Sequence, residues 1–156
     1  MRRLRDGEWI AGFGAVALLA SLFLHWYGLD VAIGLPGVGE PEATGWQAFD
    51  VLDVVLVLLM LVPLALVATQ ATRESPAVPV FFSAMTFVAG TLAALLILYR
   101  IVNQPGPNDL VTVQAGAWLG LLAALVVAGG GWRSTRLETA PKQAMPPIED
   151  QPLPAP

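Results

Sequence analysis

Hydropathy predicts an all-α membrane protein with four transmembrane helices in an up-down-up-down bundle, both termini cytoplasmic, and a disordered Pro-rich C-terminal tail. Three observations carry this. Of 156 residues, 56% are hydrophobic and 13% charged, whereas a soluble domain is about a quarter charged. The apolar residues fall in four runs, each near the ~20 residues that cross a bilayer as a helix. Lys and Arg also alternate in abundance from one connection to the next, as the positive-inside rule requires.

The first span is expected over about residues 9–28. It follows Met1-Arg2-Arg3-Leu4-Arg5, and within Trp9 to Tyr27 only Ser21 and His25 are clearly polar. A signal peptide also opens on basic residues, but its apolar core is about 7–15 residues long and ends at small residues. This run is longer and closes on His25-Trp26-Tyr27, so it reads as a retained helix. The second span, about 48–68, has Asp53 near its start and Pro63 inside it. Proline removes a backbone donor, which membrane helices tolerate. The third, 79–99, carries no charge, and the fourth covers 112–132.

Between them, Leu29 to Gln47 is broken by Gly and Pro, and Pro105-Gly106-Pro107-Asn108-Asp109 is a turn signal. Residues 1–132 therefore form the transmembrane domain. Residues 133–156 hold six prolines and few large apolar groups, too little to offset the entropy of ordering.

With the N-terminus inside, Arg2, Arg3, Arg5, Arg73, Arg133, Arg136 and Lys142 lie inside and only Arg100 outside. Trp9 and Trp132 then mark the inner boundary, and Trp26, Tyr27, Trp46, Phe49 and Tyr99 the outer one, as amphipathic rings prefer. The net charge of −4 divides unevenly. Seven basic and six acidic residues fall inside, one basic and six acidic outside, so the acidity belongs to the outer face.

Small residues at four-residue steps mark helix contacts, because lipid gives apolar helices little reason to associate otherwise. Gly116 and Gly120, with Ala124 a step on, are the clearest such pair. They serve either packing within one bundle or a homo-oligomer seam. Gly129-Gly130-Gly131 reads as a fraying helix end.

Ionisable groups at membrane depth are the default functional candidates. Asp53, Arg100, His25, Asp50 and Gln114 form one candidate polar cluster near the outer leaflet. Asp53 could pair with Arg100 beside a titrating His25, as in a proton-linked or small-solute site. The alternative is structural: Asp50 caps the second helix, Asp53 complements its dipole, and Arg100 snorkels to the headgroups. Ser21 lies one turn before His25, but no oxyanion donor or third group completes a catalytic set. Asp30, Glu40 and Glu42 form an acidic loop.

Other chemistry is thinly represented. No cysteine and one histidine exclude disulfides, thiol catalysis and Cys-ligated metals. No cofactor is expected. The lack of a clustered basic surface argues against nucleic acid. The expected partners are the lipid bilayer, a second copy or another membrane protein, and a cytoplasmic groove reading the tail from Met145 to Pro156 in a polyproline conformation.

The basic opening Arg2-Arg3-Leu4-Arg5-Asp6-Gly7-Glu8, then His25-Trp26-Tyr27-Gly28, Gly45-Trp46-Gln47-Ala48-Phe49 and Asp53, resemble small four-span membrane proteins of high-GC actinobacteria. The resemblance covers roughly residues 1–138. It implies topology and a bacterial cell-membrane location, and no activity. The expected function is accordingly a non-enzymatic scaffold, accessory subunit or envelope-associated factor, with an oligomeric transporter or channel component as the alternative.

Overall fold

The computed structural model describes residues 6–29, 42–49, 51–72, 80–105 and 111–139. In chain order the elements are α1 (Asp6–Ser21), β1 (His25–Leu29), β2 (Glu42–Thr44), α2 (Gly45–Ala48), α3 (Leu52–Thr72), α4 (Val80–Val102), β3 (Val111–Val113) and α5 (Ala115–Thr139). The fold is mostly helical. The small antiparallel sheet, with strand order β2-β1-β3, corrects the all-α expectation.

Three helices are long and apolar enough to cross a membrane, over Leu52–Thr69, Phe81–Val102 and Ala115–Arg136. At 1.5 Å per residue the 16 residues of α1 rise only about 24 Å, short of the ~30 Å hydrocarbon layer. The helix predicted through Tyr27 stops early. The N–H groups of Leu22, Phe23 and Leu24 turn back to the carbonyls of Leu19, Ala20 and Ser21 at 3.3, 3.1 and 3.0 Å. These tight i→i−3 bonds close the last turn. The aromatic residues that follow suit a strand, and β1 finds partners on both sides. Tyr27, Gly28 and Leu29 pair with Val113, Thr112 and Val111, while His25, Tyr27 and Gly28 pair with Thr44, Ala43 and Glu42. A bulge interrupts the second ladder between His25 and Tyr27. An apolar run alone does not distinguish these outcomes.

The second helix is displaced in the same way. Residue 48 ends the single turn of α2, Phe49 is extended (φ −125°, ψ 136°), and α3 begins at Leu52. Residues 112 and 113, expected to open the fourth span, belong to β3. α5 runs past Trp132 to Thr139, so the first residues assigned to the tail are helical. The remainder of the tail, from residue 140, lies outside the described residues, as do Asp50 and the acidic loop residues Asp30 and Glu40.

α5 packs between α1 and α4, and α3 closes the ring against both of those helices. The contacts are made by small residues. A Cβ on Gly130 would lie 2.6 Å from the backbone nitrogen of Ala11, and one on Gly90 2.5 Å from that of Ala128. Gly131 abuts the Phe87 backbone. The glycine triplet is thus a packing centre in α5 and not a fraying end, apart from Gly129, which has nothing within 4 Å.

Large apolar side chains point outward on every long helix: Phe13 on α1, Leu58 on α3, Phe81 on α4 and Leu122 on α5 are all exposed. Ala11, Ala15, Ser83, Thr86, Ala93 and Ala124 lie inside. Small-inside, large-outside suits a lipid solvent, where close backbone approach holds helices together. In water so much exposed apolar surface would drive aggregation.

Candidate functional site at the sheet-capped end

The C-terminal ends of α1 and α4 and the N-terminal ends of α3 and α5 converge beneath the sheet. Trp26 holds them together. It is fully buried, its indole Nε1–H donates to the Ser21 carbonyl at 2.7 Å, and its own carbonyl accepts the Gln114 N–H at 2.8 Å. The indole lies on a floor of glycines. A Cβ on Gly116 would come within 2.7 Å of Trp26 Cδ1, and one on Gly120 within 2.7 Å of Cζ2. Of the two uses read for the Gly116–Gly120 pair, this structure has the one within the bundle.

Phe49 stands over this anchor, edge-on to Trp26 at 5.2 Å and to Tyr27 at 6.0 Å. The Arg100 guanidinium covers its ring at 4.9 Å from the centroid, a cation–π geometry that keeps the charge over aromatic carbon. Tyr27 Oη–H donates to the Arg100 carbonyl at 2.9 Å, satisfying one of the acceptors left open at the end of α4. Arg100 Nη2 reaches the Ala48 carbonyl at 3.5 Å. Its Nε and the Gln104 Oε1 one turn on are buried without a partner among the described residues. Burial pushes the Tyr27 hydroxyl above its ordinary value of 10.0, and the Arg100 charge offsets part of that rise.

The described members of the predicted polar cluster are therefore divided among four sites. Asp53 is buried in the first turn of α3, where its Oδ1 accepts the Val54 N–H at 2.7 Å. No ion pair joins Asp53 to Arg100 among the described residues. Arg100 is engaged by Phe49. His25 belongs to the sheet, where its Nδ1 lies 3.0 Å from Glu42 Oε2 across β1 and β2. Gln114 is half-buried behind Gly28, where its Nε2 occupies the space a Cβ would need. Ser21 Oγ donates to the Leu18 carbonyl at 2.7 Å, so Ser21 and His25 do not form a dyad.

Two expectations about single residues change. Tyr27, Trp26 and Phe49, read as interfacial anchors, are buried, whereas Trp9, Trp46, Tyr99 and Trp132 are exposed as such anchors should be. Glu8, read as part of the flanking charge, is buried at the opposite end of the fold. It lies one turn before Gly12, which packs on Val67 of α3. A glutamate at the edge of an apolar run gives no signal of burial, because the helix face it occupies depends on where α3 lies.

A cavity of about 330 Å³ opens beside the aromatic cluster, between β1, β2 and α2, with Pro105 and Val111 completing its wall. Gln47 supports it: its Oε1 accepts the Thr44 N–H at 3.1 Å, half of a capping box that fixes the start of α2. Among the described residues, no group of three or more His, Asp or Glu side chains is placed to hold a metal. Comparison with protein-family models, curated proteins and solved structures finds no match to this chain.

Proposed function

We propose that the chain is a multi-pass protein of the cell membrane that acts as a non-enzymatic scaffold or accessory subunit. In this reading α1 makes a fourth crossing, both termini face the cytoplasm, and the sheet-capped end faces out. The resemblance to small four-span actinobacterial membrane proteins is part of the same proposal. Support for the crossing of α1 comes from its exposed Trp9, Ile10, Phe13 and Val16. The tight turn at Leu22–Leu24 lengthens the apolar stretch beyond Ser21. Support for the orientation comes from the seven-to-one division of basic residues.

The observation that carries the non-transport reading is the filled interior. Leu18, Leu22, Trp26, Leu56, Met60, Leu66, Ile97 and Val127 have no exposed surface. They lie between two buried carboxylates, Asp53 under the cap and Glu8 at the far end. With Gly12 level with Val67, these acids are separated by roughly 27 Å along α3. A proton or solute path would need a continuous line of polar groups or water between them, whereas the buried side chains there are mostly apolar, and the hydroxyls of Ser21 and Thr86 are spent on the carbonyls of Leu18 and Phe82. The outer surfaces are what remains for function.

Gentle extraction in mild detergent after chemical cross-linking tests this. A second membrane protein should co-purify in stoichiometric amount. A strictly monomeric species with no cross-linked partner would overturn the reading.

A further inference from the structure

We propose that the cap cavity binds a small organic cation carrying a short apolar arm. Its access from the aqueous side rests on the proposed orientation, but its chemistry does not. The arm would lie against Leu29, Ala43, Pro105 and Val111, which with Ala48 make most of the wall apolar. Glu42 supplies the charge. His25 takes only its Oε2, at 3.0 Å, and leaves Oε1 to accept a charge-assisted hydrogen bond from an ammonium.

No described lining residue is cationic. The Arg100 guanidinium does not line the cavity and is held over the Phe49 ring, with Nη2 on the Ala48 carbonyl. An anion entering here would meet the Glu42 carboxylate, whose close partner is His25 at its Oε2, and a neutral molecule would forgo the charged group among the described lining residues. Gln47 also lines the cavity, with its oxygen committed to the Thr44 N–H. The volume, about 330 Å³, is at the small end of the range for ligand pockets. That suits a ligand of a few carbons and not a long chain.

The test uses the full chain in an uncharged maltoside detergent, titrated calorimetrically with n-butylammonium, n-butanol and pentanoate, which share a butyl arm and differ in head charge. Butylammonium should bind at least tenfold more tightly than either of the others. Glu42→Gln should reduce its affinity to that of butanol, and Ala43→Trp should abolish binding by filling the cavity while the carboxylate stays. If Ala43→Trp does not fold, Ala48→Leu narrows the same cavity from α2 and should weaken binding. In nanodiscs, adding phosphatidylethanolamine should leave the titration unchanged, because the ligand is a free solute. Equal binding of the three probes, unchanged affinity in Glu42→Gln, or competition by the lipid amine would overturn the proposal. None of these results depends on which way the chain crosses the membrane.

Discussion

At the scale of single residues, neighbouring glycines of α5 have opposite roles, and that makes a sharp experiment. Gly130 lies against the α1 backbone and Gly131 against that of α4, while Gly129 meets nothing. Alanine at 130 or 131 must push two helices apart, at a cost of about 1–3 kcal/mol. Alanine at 129 should stabilise the helix by up to about 1 kcal/mol through its better helix propensity. Thermal unfolding of the three variants in detergent checks this order. Equal effects would mean that the helices do not meet at these glycines. Gly120→Leu should be worse than any of them, because its side chain would occupy the Trp26 ring position.

Tyr27 makes a pH-dependent prediction. Its folded-state pKa is raised by burial, so the protonated form is favoured in the fold. The stability tied to that proton is fully present below the unfolded value of 10.0 and is lost as pH rises through the higher folded value. The unfolding temperature should fall above about pH 10 in the native chain, with Tyr27→Phe following a flatter profile. At neutral pH the same variant loses the bond to the Arg100 carbonyl, which costs about 0.5–1.5 kcal/mol.

At the scale of elements, the boundaries separate what hydropathy reads from what packing decides. Residues 25–27 extend the apolar run of α1 without belonging to its helix. Their backbone groups are satisfied by β2 and β3, which lie far away in sequence. The same holds for residues 111–113, which pair with β1, while residue 48 ends the single turn of α2. A local window sees apolar content, and the choice between helix and strand depended on distant partners. Helix existence was legible because length and apolar content are local properties. The candidate cluster was not. Asp53, Arg100 and His25 were grouped by depth, and depth does not say which way a side chain points around a helix. The His25–Glu42 contact joins residues 17 positions apart across a loop rich in Gly and Pro, and no local pattern signals it.

The short α1 carries the main topological prediction. The chain has no cysteine, so single-cysteine variants can be labelled without background. Cysteine at Phe13 or Val16 should resist a water-soluble maleimide until detergent is added. Cysteine at Glu42 should react from outside intact cells, and cysteine at Arg136 only after permeabilisation. Labelling of position 13 in intact membranes would leave three crossings and place the two ends of the chain on opposite sides.

For the whole molecule, large apolar side chains both fill the interior and cover the outside, and small residues make the close helix contacts. A cap with its own aromatic core closes one end: Trp26, Tyr27 and Phe49 are each buried there. The sheet gives the connecting strands hydrogen-bond partners where the chain leaves the helices, and unsatisfied backbone groups are costly close to hydrocarbon. Because the interior is filled, purified protein in vesicles should give no proton flux above that of empty vesicles when a pH gradient is imposed. Asp53→Asn should not change this result. Flux that depends on Asp53 would replace the scaffold reading with a transport one.

Composition and run length by themselves determined that this chain has long helices apolar enough to cross a membrane, and they carry the proposal that its basic residues gather on one side of it. Each of these depends on which residues are near one another in sequence. Tertiary structure alone decided that the Gly116–Gly120 pair receives an indole, that three successive glycines differ in function, that Arg100 rests on Phe49 and not on Asp53, and that the aromatic residues after α1 form a sheet. These depend on which helix lies against which face, and that is set by the joint packing of the whole ring of helices beneath the cap.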